Sequence, residues 1–206
     1  MSDKINGNNP WKAFLPYDEK SASQFKGRSR NIEELFAFIK KERTTVCYAD
    51  SGIGKSSLIN AGLKPKLRQH LFFPVDIVFT ETDYASGGLD FDRRVIQELE
   101  KEIAKQNEHS QEVKFQLKEF IDTSDEEVAT LDKKLAASSL WWLLHTRKIE
   151  CSIIGNHVAD YSPIFIFDQF EEMFTRSLHE QLIQSFFEWY PTASSDSISP
   201  AVEREA

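Results

Sequence analysis

The sequence predicts an α/β protein built as three layers, helices on both sides of a mainly parallel sheet. Two features predict it. A β-rich segment, a glycine loop and a helical period follow one another over residues 44–63. A continuous apolar run, Ile164-Phe165-Ile166-Phe167, then ends in Asp168, as a parallel strand covered on both faces should. The 206 residues are 40% apolar and 28% charged, which suits one sizeable core and excludes a wholly disordered chain. The longest apolar runs, 35–39 and 140–144, fall far short of the roughly 18 residues that a membrane span needs. The start, Met1-Ser2-Asp3-Lys4-Ile5-Asn6, lacks the apolar centre of a secretory signal, so a cytoplasmic protein without a membrane partner is expected. A net charge of −8 argues against a broad nucleic-acid surface and leaves room for a local site for one anion.

Taken in order, residues 1–24 are turn-rich and then aromatic, through Trp11, Phe14 and Tyr17, and are expected to form an arm that docks on the body. Ile32, Leu35, Phe36 and Ile39 recur at helical spacing, so residues 31–42 should be an amphipathic helix, with Asn31 and Glu34 as a cap-like pair. Residues 44–49 should be a strand, and the helical period from Lys55 should break near Pro65. Residues 72–79 read as a second strand, and Val95, Leu99 and Ile103 mark a helix. The Glu, Lys, Gln and Asp of residues 105–135 suggest solvated helices, with Ser124 and Glu127 opening one of them. Residues 139–144 should be a buried helix in which Trp141 and Trp142 pack, 178–190 another helix, and 191–206 a polar tail. Cys47 and Cys151 are too far apart for a metal motif and are expected to be buried thiols; the five histidines, with no ligand spacing among them, are expected to be structural.

The chemistry concentrates in Ala49-Asp50-Ser51-Gly52-Ile53-Gly54-Lys55-Ser56-Ser57. A phosphate-binding loop needs small residues where backbone N–H groups wrap a phosphate, a lysine to neutralise its oxygens, and a hydroxyl for Mg²⁺. Ser51, Gly52, Ile53, Gly54, Lys55, Ser56 and Ser57 supply these parts in register. The usual pattern starts with glycine where this chain has Ala49; a positive φ there would cost about 1 kcal/mol. The second place to look is the acid block after the 164–167 run. Asp168 at the strand tip could join Ser56 in holding the metal, and Glu171, or failing it Glu172, could polarise an attacking water.

Phe25-Lys26-Gly27-Arg28, the loop with its continuation Leu58-Ile59-Asn60-Ala61-Gly62-Leu63, and Asp168-Gln169-Phe170-Glu171-Glu172-Met173-Phe174-Thr175 together resemble the novel STAND NTPases, a branch of the P-loop signal transduction ATPases with numerous domains. The resemblance implies a P-loop NTPase domain over residues 25–190, bound ATP and Mg²⁺, and Gly27 and Arg28 near the adenine. It implies a switch that ATP holds in an oligomerising state and ADP resets, with other protomers or effector domains as partners. It also implies a sensor strand between the loop's strand and the Asp168 strand. No segment after residue 176 supplies that strand or a lid, so the sheet is expected to be incomplete on that side, leaving a gap or a direct pairing. The alternative reading is an interaction module that binds nucleotide without turnover. A GTPase is disfavoured because the chain lacks an Asn-Lys-x-Asp segment, and a small-molecule kinase because no arginine-rich lid follows Asp168.

Overall fold

The computed structural model describes residues 16–50, 52–78, 91–119 and 140–168. These fall into two compact units, the first running to His70 and the second from Leu71. The readings for residues 124–127, 178–190 and 191–206, and for the side chains of Trp141 and Trp142, lie outside what is described.

The first unit opens with a 3₁₀ turn, Glu19–Gln24. Asp18 caps it: its carboxylate accepts from the Ser21 amide while the Ser21 hydroxyl accepts from the Asp18 amide. Helix α1 spans Ser29–Lys41, and its apolar stripe turns Phe36 into the interior. It begins at Ser29, two residues before Asn31, with Arg28 in the cap position and without a side-chain cap, so the expected cap pair does not form. Glu34 instead receives Arg30 one turn away at 2.9 Å.

Residues 44–50 form no strand among the described residues, contrary to the expectation, and Val46 and Tyr48 are 67% and 76% exposed. β-Branched and aromatic side chains favour a strand only where a neighbouring strand supplies hydrogen bonds and a packing surface, and none of the described strands pairs here. Cys47 shares this exposure, whereas Cys151 is buried and its thiol is pushed up by that burial.

After the glycine loop the chain is helical without a break through α2 (Lys55–Ser57), a π segment (Leu58–Leu63) and α3 (Lys64–Gln69). Pro65 therefore does not interrupt it. The Lys64 amide reaches back five residues to the Ile59 carbonyl, and Pro65 follows at the start of α3, where its ring and missing N–H are tolerated. Ala61, Leu63 and Leu67 join Phe36 in the interior. Gly62 is where α1 comes closest: a Cβ there would lie 2.5 Å from Cδ1 and 2.7 Å from Cγ1 of Ile32.

Among its described residues the second unit holds a four-stranded sheet in the order β1-β4-β3-β2, with β1 at Phe72–Ile77, β2 at Val113–Glu119, β3 at Arg147–Ile153 and β4 at Asn156–Phe167. The sheet is mixed rather than mainly parallel. β1 pairs parallel with the second half of β4, Phe72 opposite Ser162 through Ile77 opposite Phe167. β3 joins β4 and β2 by antiparallel ladders. The antiparallel part arises because only a two-residue turn, Ile154-Gly155, both at positive φ, separates β3 from β4.

Helix α4 (Phe91–Glu108) presents Phe91, Val95 and Leu99, four residues apart, to Phe73, Val75 and Ile77 of β1; Leu140 and Leu143 of α5 (Leu140–Thr146) and Ile149 complete that core. The Asp92 carboxylate accepts the Leu140 amide at 3.0 Å, so α4 helps fix the start of α5. Residues 113–119, expected within solvated helices, are a strand because Val113, Phe115 and Leu117 alternate with polar residues, a two-residue period. On this strand, at the edge of the sheet among the described residues, the Asn107 side chain both donates to the Phe115 carbonyl (2.9 Å) and supplies the acceptor for its amide (2.7 Å). Among the described residues no helix is long and apolar enough to cross a membrane.

Replacing Gly62 by Val should destabilise the first unit by about 2 kcal/mol, because the added methyls collide with Ile32. Shortening Ile32 to Val in the same chain should recover part of that loss in chemical denaturation.

Candidate functional site

The loop of residues 49–57 is shaped by two left-handed glycines. Gly52 has φ 86° and Gly54 φ 91°, with no atom within 4 Å of where a Cβ would stand, so glycine is required there by backbone conformation and not by space. Ala49 is not among the residues with positive φ, so its Cβ carries no such strain and the departure from the usual first glycine is tolerated. Gly54 is the cap of α2; its carbonyl accepts the Leu58 amide at 2.8 Å, and as a glycine it brings no side-chain cap to the helix start. Amides at an uncapped first turn face outward with the positive end of the helix dipole, a setting that favours an anion.

Lys55, the first helical residue, folds back over the loop. Its ammonium donates to the Ala49 carbonyl at 2.6 Å and the Asp50 carbonyl at 3.0 Å. The positive charge is thereby fixed beside the loop main chain instead of extending into water. Ser56 is half-buried, and the Ser57 hydroxyl accepts the Tyr17 amide at 3.0 Å. From the preceding segment, Gly27 turns at φ 84° and Arg28 donates Nη2 to the Ile53 carbonyl at 3.2 Å. Gly27, Arg28, Gly52, Ile53, Gly54, Lys55, Ser56 and Ser57 thus all belong to the first unit. Ser51, Glu171 and Glu172 lie outside the described residues. Asp168 is half-buried and directly follows β4 in the second unit.

A family model described as Novel STAND NTPase 1 matches residues 10–201. The chain belongs to the novel STAND NTPase family. For this STAND NTPase, membership implies a P-loop fold and nucleotide binding, and it extends over the middle residues that the sequence motifs leave unassigned. No curated protein and no solved structure matches the chain.

Two contacts of this STAND NTPase loop were not legible in the sequence: the Tyr17 amide on Ser57, a main-chain donor that leaves no residue signature, and the Arg28 bond to Ile53. A third feature lies on the solvent-facing side of the antiparallel sheet. An irregular register pairs Cys151 with Ala159 but Ser152 with His157, and the extra residue brings His157 onto the face carrying Glu150 and Asp160. Their ligating atoms lie within 4.8 Å of one another. All four carboxylate oxygens already have protein partners. Glu150 accepts from Lys118 (2.7 Å) and Gln116 (3.0 Å), and Asp160 is bonded to Lys148 (2.7 Å) and His157 (3.0 Å). The group is a cross-strand charge network.

The lysine bonds, then those from Gln116 and His157, hold both carboxyls below their ordinary range. A lowered folded-state value means that the stabilisation is present above the unfolded value and is lost as pH falls through the folded one. The thermal midpoint of the second unit should therefore hold from neutral pH to about pH 5 and drop below about pH 4. In a Glu150→Gln variant followed by circular dichroism the acid-induced drop should be smaller.

Proposed function

We propose that this chain binds ATP with Mg²⁺ at the 49–57 loop and works as a nucleotide-dependent switch in signalling or defence, hydrolysing ATP. The observation that carries the reading is the Lys55 ammonium, held over the Ala49 and Asp50 carbonyls beside a helix start opened by left-handed Gly54. Main-chain amides of residues 51–57 bind the phosphate oxygens and Lys55 neutralises their charge. Gly27 and Arg28 serve the nucleoside end.

The Ser56 hydroxyl, half-buried next to Lys55, suits Mg²⁺, a hard cation that takes oxygen donors, and the sequence pattern offers the Asp168 carboxylate as a second donor. When bound the ion would supply positive charge that neutralises the phosphate oxygens. Glu171 accepts a proton from the attacking water, with Glu172 as the substitute base. ATP then favours assembly with other protomers or with effector domains, and ADP resets the chain. Neither a membrane nor direct nucleic-acid contact belongs to this reading.

A second reading, nucleotide binding without turnover, is favoured by one observation: residues 44–50 before the loop have no strand partner among the described residues. A loop without that support can bind phosphate and still leave a water poorly aligned for attack. The two readings part in a single experiment. Lys55→Ala should weaken ATP binding at least tenfold in titration calorimetry under either. Glu171→Gln should keep ATP binding and lower phosphate release by about a hundredfold or more if the chain is an ATPase. Absence of phosphate release from the unaltered chain would leave the binding module.

A further inference from the structure

The segment over residues 16–28 brackets the phosphate loop. At one end the Tyr17 amide bonds the Ser57 hydroxyl; at the other, Arg28 bonds the Ile53 carbonyl. Gly54, Lys55 and Ser56, the centre of the cradle, lie between those two anchor points. The same segment follows the helix beyond the loop. Phe25 lies beside Gly62, 3.5 Å from where a Cβ would stand, and Glu19 receives the Arg68 guanidinium through two bonds, at 3.0 and 3.3 Å. Tyr17 and Phe25 pack their rings 5.6 Å apart across the 3₁₀ turn, which ties the strap to itself. Ser57 is buried, so no water competes freely for its hydroxyl.

We propose that this strap senses nucleotide, with Ser57 as the positioning residue that couples its docking to occupancy of the loop. The inference rests on the ATP-binding reading above. A triphosphate that orders residues 52–57 orders both anchor points, residues 53 and 57, and so favours the docked strap. By linkage, the docked strap must raise the affinity for ATP by the same factor. One part-buried hydrogen bond is the mediator, so the coupling is about three- to tenfold. The role of the Ser57 side chain is thus to hold the strap, while its main-chain amide remains with the phosphates.

The test is amide hydrogen exchange of the full chain with and without Mg-ATP, read over residues 17–25, alongside ATP affinity by calorimetry. Tyr17→Ala removes the ring and keeps the amide; Tyr17→Pro removes both; Ser57→Ala removes the acceptor without altering the strap. ATP should slow exchange over 17–25 about threefold or more in the unaltered chain and in Tyr17→Ala. That ATP-dependent slowing should vanish in Tyr17→Pro and Ser57→Ala, with ATP affinity three- to tenfold weaker than in Tyr17→Ala and the unaltered chain respectively. Ser57→Thr, which restores an acceptor, should recover the slowing. ATP binding with unchanged exchange over 17–25 overturns the strap alone, as does unaltered affinity in Ser57→Ala. No ATP binding by the unaltered chain overturns the nucleotide reading, and the strap with it.

Discussion

The site depends on one backbone conformation. Gly54 sits in the left-handed region and ends the loop there, so that α2 begins at Lys55 with a cap residue that has no side chain of its own. The lysine can then turn back onto the Ala49 and Asp50 carbonyls, six and five residues earlier. An L-residue at position 54 would lose about 1 kcal/mol to the clash of its Cβ with the backbone, and the loop would relax away from this shape. Charge and amides are thus placed by the main chain before any ligand arrives, which is how a phosphate site avoids the cost of organising itself on binding.

The sheet divides along its length for a physical reason. Where β4 runs beside β1, the strands are parallel, and Phe73, Val75 and Ile77 are covered by α4. Where it turns back on β3, the ladders are antiparallel and one face meets water, so lysines and acids can occupy it in pairs. The register irregularity opposite Cys151 and Ser152 belongs to this second part and sets which side chains share the wet face. Asp168 comes directly after the parallel part, the end of a strand at which α/β proteins commonly carry functional side chains.

Much of this was legible where a residue type has one dominant physical use. Glycines before a lysine and two serines announced the loop, and four-residue spacing announced α4. Phe72, Phe73, Val75 and Ile77 announced β1 although Pro74 lies within it, a residue tolerated on a strand that stands at the edge among the described residues. What the sequence hid was context. Residues 44–49 have strand composition without a described partner, and composition does not reveal whether a partner is present. Residues 113–119 hid their two-residue alternation under a high density of charge, and 147–161 hid a hairpin because Ile154 stands at a positive φ that isoleucine disfavours. The helix through Pro65 was hidden by the π turn before it, which no periodicity argument anticipates. Family membership supplied the coverage of the middle that motifs alone lacked.

The proposed site rests on the main chain around Gly54 cradling a triphosphate. The most direct measurement is a crystal structure of the chain grown with Mg²⁺ and adenylyl imidodiphosphate. Phosphate oxygens should stand within hydrogen-bond distance of the amides of residues 52–56, with Lys55 Nζ shared between them and the loop. An analogue bound elsewhere, or a loop closed on itself with side chains filling the cradle, would contradict it.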